Sequence, residues 1–327
     1  MKEKLSRFTF KYGAIFVIIA VFIFFSSVNE YFLTYDNIAD ILRSISIVTL
    51  VAIGVTFSLI VDGFDLSVGS TVSLSTVVVA TLMVWFELPV WTVIVIPILL
   101  GAVIGLFNSF LIVKVRIPDL LATLGTMYIV SGIHRTYTKG YSIYNQMPLQ
   151  DGTTAPGSFS ESFLFIGQGR ILGIPVPVIL MVVSVIVVHI FLNYTRWGRL
   201  LYITGGNKEA ARLSGIKVNQ VRTIAYVLSG VFAALGGILF AARVGSGQID
   251  SGAPLLMEGV AAVFVGFSVL GAGKPNVIGT FFGAVLIGIL LNGLTMMNLP
   301  YYSFEIIKGT VLILALSVTF IHLRKKA

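Results

Sequence analysis

Two aspartates that interrupt apolar sequence are the residues whose type and position most suggest chemistry. Asp62 and Asp65 lie in residues 61–70, which read Val-Asp-Gly-Phe-Asp-Leu-Ser-Val-Gly-Ser between long apolar runs. An acid in the middle of a bilayer costs about 3 kcal/mol or more unless it faces protein or water. The segment therefore indicates a broken helix that faces a cavity. The simpler alternative is that Asp65 or Ser67 only caps the following helix.

Further polar residues within apolar runs are candidates to line a path for a polar solute. With residues of the aspartate segment, the candidate pathway set is Phe64, Asp65, Ser67, Asn108, Thr123, Thr126 and Asn292. Hydrogen bonding between neighbouring helices is the alternative role for the amides and hydroxyls. The sequence leaves both roles open.

Residue sets typical of enzymes are missing from the sequence. The three histidines are scattered without metal-ligand spacing, and there is no cysteine. The glycine-rich segment 266–275 lacks the spacing of a phosphate-binding loop, and Pro275 stands where a Ser or Thr would hold Mg²⁺. We therefore expect a chain that is not an enzyme and that binds no cofactor or metal of its own.

The composition is that of a membrane protein. Of the 327 residues, 57% are hydrophobic and 11% are charged, and the mean hydropathy is +0.98. In hydrocarbon every backbone polar group needs an internal partner, so the apolar runs become spanning helices in contact with lipid. The net charge of +8 then reflects cytoplasmic loops rather than nucleic-acid binding.

The apolar runs predict an all-α integral membrane protein with about ten transmembrane helices. The predicted spans are 12–28, 42–61, 69–86, 91–113, 120–138, 175–194, 222–242, 256–271, 277–296 and 304–322. Basic residues concentrate in both terminal tails, the 114–119 turn and the 195–221 loop. The positive-inside rule therefore places these segments and both termini in the cytoplasm, and the 139–174 loop outside.

Two glycine-containing spans are similar to each other. Gly101-Ala-Val precedes Asn108 and Pro118, and Gly283-Ala-Val precedes Asn292 and Pro300. Five spans in each half make such repeats inverted, which is typical of transporters with a central path between the halves. We expect one permease domain over residues 1–327, with halves at 12–138 and 175–322.

The 195–221 loop contains a predicted short helix. Residues Glu209 to Leu213 favour a helix, and Gly215 would end it. A short helix held parallel to the membrane suits docking to a soluble partner.

Several segments resemble known permeases. Glu209-Ala210-Ala211 followed by Gly215 resembles the EAA motif of bacterial ABC importer permeases. Residues 63–70 and Leu-Ala-Thr-Leu-Gly-Thr at 121–126 resemble segments of the ribose-type sugar permeases, as do Gly206-Asn207 and residues 306–309. The resemblance covers residues 35–320. One departure is Phe267, which follows Gly266 where that family has a second glycine.

The resemblance implies the transmembrane subunit of an ATP-driven ABC importer for a ribose-like monosaccharide or a related sugar or polyol. Its implied partners are a cytoplasmic ATPase that binds ATP and Mg²⁺, an extracytoplasmic sugar-binding protein, and a second permease, identical or paralogous. The implied location is the bacterial inner membrane. Glu209, Ala210, Ala211 and Gly215 would then belong to the helix that couples the chain to the ATPase.

Two other functions are compatible with the aspartates. A secondary transporter driven by an ion gradient would use Asp62 and Asp65 as ion sites. A membrane-embedded enzyme would use them as a carboxylate pair, but the sequence offers no partnered base. The sequence alone does not name the solute.

Overall fold

The computed structural model describes residues 2–149, 151–267, 273–297, 300–304, 306–307, 309–310 and 313, without the side chains of residues 2–14 and 301. The helices in chain order are α1 (Lys2–Val28), α2 (Tyr35–Ile60), α3 (Ser67–Ala80), α4 (Val90–Ser109), α5 (Asp119–Tyr137), α6 (Glu161–Gln168), α7 (Val176–Tyr194), α8 (Arg196–Gly206), α9 (Lys208–Leu213), α10 (Val218–Val244), α11 (Gly252–Gly266) and α12 (Val277–Met296). α3 and α4 each continue into a π-helical turn, Thr81–Trp85 and Phe110–Val115 respectively.

Six helices in the described residues are long and apolar enough to cross a membrane: α2, α3, α4, α7, α10 and α12, with α3 and α4 counted through their π-helical turns. Shorter apolar helices cover Ile15–Val28 and Gly252–Gly266. α5 matches the predicted span 120–138 but is less apolar, because it carries Asp119, His134 and Arg135. The all-α membrane fold is confirmed, whereas the count of ten spans is not. Most of the predicted span 304–322 lies outside the described residues.

Contacts between segments that are distant in sequence mark the two ends of the bundle. At one end, here called the basic end, Lys208 bonds to Asp62, Arg222 to Asp119 and Tyr202 to Pro275. At the opposite end, here called the loop end, Arg170 pairs with Asp36 and Arg135 pairs with Asp250. The placement of the basic end in the cytoplasm stays a prediction.

The two central helices, α2 and α10, each pack against helices of the opposite half of the chain. α2 and α10 run antiparallel and pack against each other. α2 also packs on α11 and α12 of the second half, whereas α10 packs on α3 and α4 of the first. This reciprocal arrangement is what two inverted halves require, and it supports the repeat that the sequence predicted.

Glycines allow close approach of helices in the bundle. A Cβ atom on Gly101 of α4 would overlap the carbonyl oxygen of Gly230 on α10, and the reverse is also true. Gly283, at the corresponding place in the repeat, lies against the carbonyl oxygen of Ala262. Since lipid gives no hydrophobic driving force between helices, such small residues let backbone surfaces pack directly.

The 139–174 segment has more structure than the turn-rich loop that the sequence predicted. β1 (Ile143–Tyr144) pairs antiparallel with β4 (Ser246–Gly247), and β2 (Arg170–Ile171) pairs with β3 (Ile174–Pro175). Gly167 of α6 packs on the backbone of α10 at Ala242. The segment is therefore fixed to the loop end. Strands of two residues are too short to give a periodic signal in sequence.

Candidate functional site

The connection between α2 and α3, residues 61–66 and here called the polar turn, holds a buried carboxylate. Asp65 is 1% exposed and accepts four hydrogen bonds. The donors are the Ser67 amide at 3.0 Å, the Ser67 hydroxyl at 2.6 Å, the Ser229 hydroxyl at 2.8 Å and the Asn108 amide at 3.3 Å. Burial of a charge requires such donors, because the protein interior solvates it poorly.

Asp65 therefore caps the start of a helix and also joins neighbouring helices. Its bond to the amide of Ser67 starts α3, and its other bonds join α3 to α4 and α10. Asn108 also donates to the Ser67 hydroxyl at 2.7 Å, while its own carbonyl oxygen is buried without a partner among the described residues. This carbonyl oxygen is therefore an acceptor of the network that lacks a hydrogen-bond donor among the described residues.

Thr123 attaches α5 to the polar turn. Its hydroxyl donates to the carbonyl of Phe64 at 3.0 Å and accepts from the amide of Leu66 at 3.2 Å. Thr126, one turn further along α5, is buried and bonds to Ala122 in its own helix. The structure therefore brings Phe64, Asp65, Ser67, Asn108 and Thr123 together at one place.

Asn292 lies apart from the other predicted pathway residues. Its side chain, near the loop end of α12, donates to Asn37 of α2 at 2.8 Å. This bond joins the two halves, which is the helix-to-helix role that the sequence allowed as an alternative.

A cavity of about 690 Å³ opens at the basic end beside the polar turn. Its lining residues are Leu59, Ile60, Asp62, Gly63, Phe64, Pro118, Asp119, Leu120, Tyr202, Gly205, Gly206, Phe267, Lys274 and Pro275. Phe64 is the predicted pathway residue that reaches this cavity, whereas Asp65, Asn108 and Thr123 are buried behind it. Burial raises the pKa of Tyr202 to about 12, and its hydroxyl donates to the Pro275 carbonyl at 3.0 Å.

A second charged cluster borders the cavity, and the sequence did not indicate it. Arg222 lies 2.6 Å from both carboxylate oxygens of Asp119, and Tyr226 donates to the same carboxylate at 2.6 Å. The paired side chains are only 13% and 19% exposed. Gly63 lies directly against this cluster. A Cβ atom at this position would overlap the Tyr226 hydroxyl and the Asp119 carboxylate, so a residue with a side chain would not fit without a shift.

One local signal for this cluster exists in the sequence. Arg222 and Tyr226 are four residues apart and so share a helix face, and Asp119 begins a helix directly after Pro118. Nothing local connects them, since Asp119 and Arg222 are separated by 103 positions.

The helix predicted in the 195–221 loop is confirmed as α9 and begins one residue earlier than expected. Asn207 caps it, because its side-chain oxygen accepts from the amides of Glu209 and Ala210 at 3.0 and 2.9 Å. Gly215 has φ +77°, the left-handed conformation that ends helices and favours glycine. Glu209 is exposed and Ala211 is buried. The coupling role of these residues stays a prediction.

α9 contacts the polar turn directly. The Lys208 ammonium donates to the Asp62 carbonyl at 2.9 Å and to the Asp62 carboxylate at 3.0 Å. Next to this pair, Gly205 of α8 packs so closely on Ile60 that a Cβ atom would overlap the Ile60 carbonyl oxygen.

Apolar helices packed reciprocally between two halves of a chain are a common feature of membrane transport proteins. The chain belongs to the family described as branched-chain amino acid transport system, permease component, whose model matches residues 37–316. No solved structure matches the chain.

Relatives match over almost the whole length. The chain is 35% identical to the ribose import permease protein of Haemophilus influenzae, covering 95% of this chain and 94% of the relative. It is 35% identical to the ribose import permease protein of Bacillus subtilis, covering 93% and 91%. It is 32% identical to the galactose/methyl galactoside import permease protein of Escherichia coli, covering 96% and 94%.

Proposed function

We propose that this chain is the membrane-spanning subunit of an ATP-driven importer for a small carbohydrate. The observation that carries the proposal is the similarity to permeases named for ribose and for galactose import over more than nine-tenths of the chain. In this proposal the chain hydrolyses nothing itself. A separate ATPase holds ATP and Mg²⁺, a binding protein delivers the sugar, and a second permease, identical or paralogous, completes the path.

The exposed helix α9 is the proposed contact with the ATPase. It projects from the basic end, which in this proposal faces the cytoplasm of a bacterial inner membrane together with both chain termini. Glu209 offers an exposed carboxylate, while buried Ala211 holds the helix on the bundle. A capped helix of this kind transmits force better than a flexible loop would, because its backbone hydrogen bonds are satisfied.

The polar turn is the proposed wall of the sugar path. Sugars need hydrogen-bonding groups along their route, and Asp65, Asn108 and Thr123 supply them beside the cavity at Phe64. In the present conformation Asp65 and Asn108 bond to each other, and Thr123 bonds to the backbone of the turn. The proposal therefore requires that the ATPase cycle moves the turn and exposes them, as alternating access demands.

A transport assay tests the proposal. The chain is co-expressed with a candidate ATPase and a candidate sugar-binding protein from the same organism, and the complex is placed in proteoliposomes with ATP. We expect uptake of labelled ribose or galactose that requires ATP and resists an uncoupler. Labelled leucine is the control, since the family's description names branched-chain amino acids. Uptake without ATP that collapses with the uncoupler would instead establish an ion-driven transporter.

Charge reversal on α9 tests the docking assignment. We expect Glu209→Lys to abolish co-purification of the ATPase and ATP-dependent uptake, because a lysine repels a partner surface that accepts a carboxylate. Glu161→Lys is the matched control, since Glu161 is an exposed glutamate in α6 at the loop end. The assignment is wrong if Glu209→Lys leaves both association and uptake intact.

A further inference from the structure

The polar turn is held by four different helices within six residues. Asp65 bonds to Asn108 of α4 and Ser229 of α10, and Thr123 of α5 bonds to the backbone on either side of Asp65. The fourth helix is α9, through Lys208 and Asp62. A displacement of the turn therefore reaches helices from both halves of the chain.

The contact between the polar turn and α9 differs from the contacts with α4, α5 and α10, because its side chains are exposed to solvent. Lys208 is 36% exposed and Asp62 is 72% exposed. Exposed ion pairs contribute little to folding stability, because water and salt screen them. Stability is thus a poor explanation for this contact.

The backbone at Asp62 is left-handed. Its φ of 55° lies in a region that Asn and Asp adopt more readily than most other residues with side chains. Lys208 bonds to the carbonyl oxygen of this same residue as well as to its carboxylate. The lysine therefore contacts both the backbone and the side chain of the turn.

Steric contact also links the region of α8 and α9 to the polar turn. Gly205, three residues before Lys208, lies directly against the carbonyl oxygen of Ile60 at the end of α2. The junction of α8 and α9 therefore presses on the start of the polar turn, and Lys208 is bonded to the next part of it. A push on α9 therefore reaches the turn through this packing, and the Lys208 bond transmits an outward pull as well.

We propose that Lys208 and Asp62 are positioning residues that transmit movement of α9 to the polar turn and so to the wall of the path at Phe64. The proposal rests on the proposed function, because it supposes that an ATPase moves α9. It goes beyond that function by naming the contact through which ATP hydrolysis and solute movement are linked.

The test is the ratio of sugar imported to ATP hydrolysed in proteoliposomes that contain the whole complex. Lys208→Met keeps the length of the side chain and removes its charge. We expect the complex to assemble and hydrolyse ATP at close to the normal rate, while the ratio falls by about fivefold or more, the lower end of coupling between two sites. Lys208→Arg should restore the ratio, since its guanidinium keeps the charge and the donors.

Two further variants separate transmission from docking. Lys217→Met changes another exposed lysine of the 195–221 loop and should leave the ratio unchanged. Asp62→Asn removes the carboxylate from the turn side, tolerates the left-handed backbone, and should lower the ratio without loss of the ATPase.

An unchanged ratio in both Lys208→Met and Asp62→Asn overturns the proposal. Loss of ATPase association in Lys208→Met also overturns it, because the lysine would then be a docking residue. If the unaltered complex imports no sugar with ATP, the proposed function itself fails, and that outcome is distinct from both.

Discussion

The two ends of the bundle use charge in different ways. At the basic end, Arg222 and Asp119 form a largely buried pair that Tyr226 completes. At the loop end, Arg135 and Asp250 pair with each other and are 56% and 67% exposed. A buried pair fixes geometry, because breaking it leaves an unsolvated charge, whereas an exposed pair exchanges readily with water. The Arg222–Asp119 pair therefore fixes its part of the basic end, whereas the Arg135–Asp250 pair leaves its part of the loop end adaptable.

Breaking the buried pair should have the largest effect. Arg222→Met leaves the carboxylate of Asp119 buried without its cation, which costs about 3–5 kcal/mol. We expect a large loss of folded protein and a lowered melting temperature, measured by thermal unfolding of the purified chain in detergent. A melting temperature equal to that of the unaltered chain would show that the pair fixes nothing.

Filling the space beside that pair should have an intermediate effect. Gly63→Ala places a methyl group against Tyr226 and Asp119, and such overpacking costs about 1–3 kcal/mol. Gly132→Ala on α5 is the matched control, because a Cβ atom there meets nothing within 4 Å. We expect thermal unfolding to show a loss for the first variant and no loss for the second. Equal melting temperatures would contradict the close packing at Gly63.

Breaking the exposed pair should have the smallest effect. Asp250→Asn removes the partner of Arg135, and exposed pairs contribute about 0–1 kcal/mol. We expect a melting temperature close to that of the unaltered chain and well above that of Arg222→Met. A fall comparable to that of Arg222→Met would remove the distinction between the two ends.

Much of the fold could be predicted because its signals are local. The apolar runs located the helices, and the Glu209-to-Gly215 segment predicted α9 with its stop. The repeat indicated Gly101 and Gly283, and both glycines lie where helices approach closely, although Gly101 meets α10 of the other half and Gly283 meets α11 of its own half.

The site was predicted only in part, because its contacts join distant positions. The motif at residues 63–70 indicated Asp65 and Ser67, but nothing in sequence connected Asp65 to Ser229 across 164 positions. Asn292 had the same polar character as Asn108 yet bonds elsewhere, to Asn37. In the sequence Lys208 is one of several basic residues in the 195–221 loop, and the three-dimensional structure places it on Asp62.

The exchange of packing partners between the halves has a consequence for biosynthesis. Asp119 leaves the ribosome 103 residues before Arg222, an interval of about 5–20 seconds at ordinary rates of translation. During that interval α3, α4 and α5 have entered the membrane, but α10 has not yet been made, and Asp65 and Asp119 lack their partners from it. Until residues 218–244 arrive, Asp119 lacks Arg222 and Tyr226, while Asp65 keeps its donors Ser67 and Asn108 from the first half. A nascent chain that stalls earlier therefore presents the Asp119 carboxylate without its cation to membrane quality control.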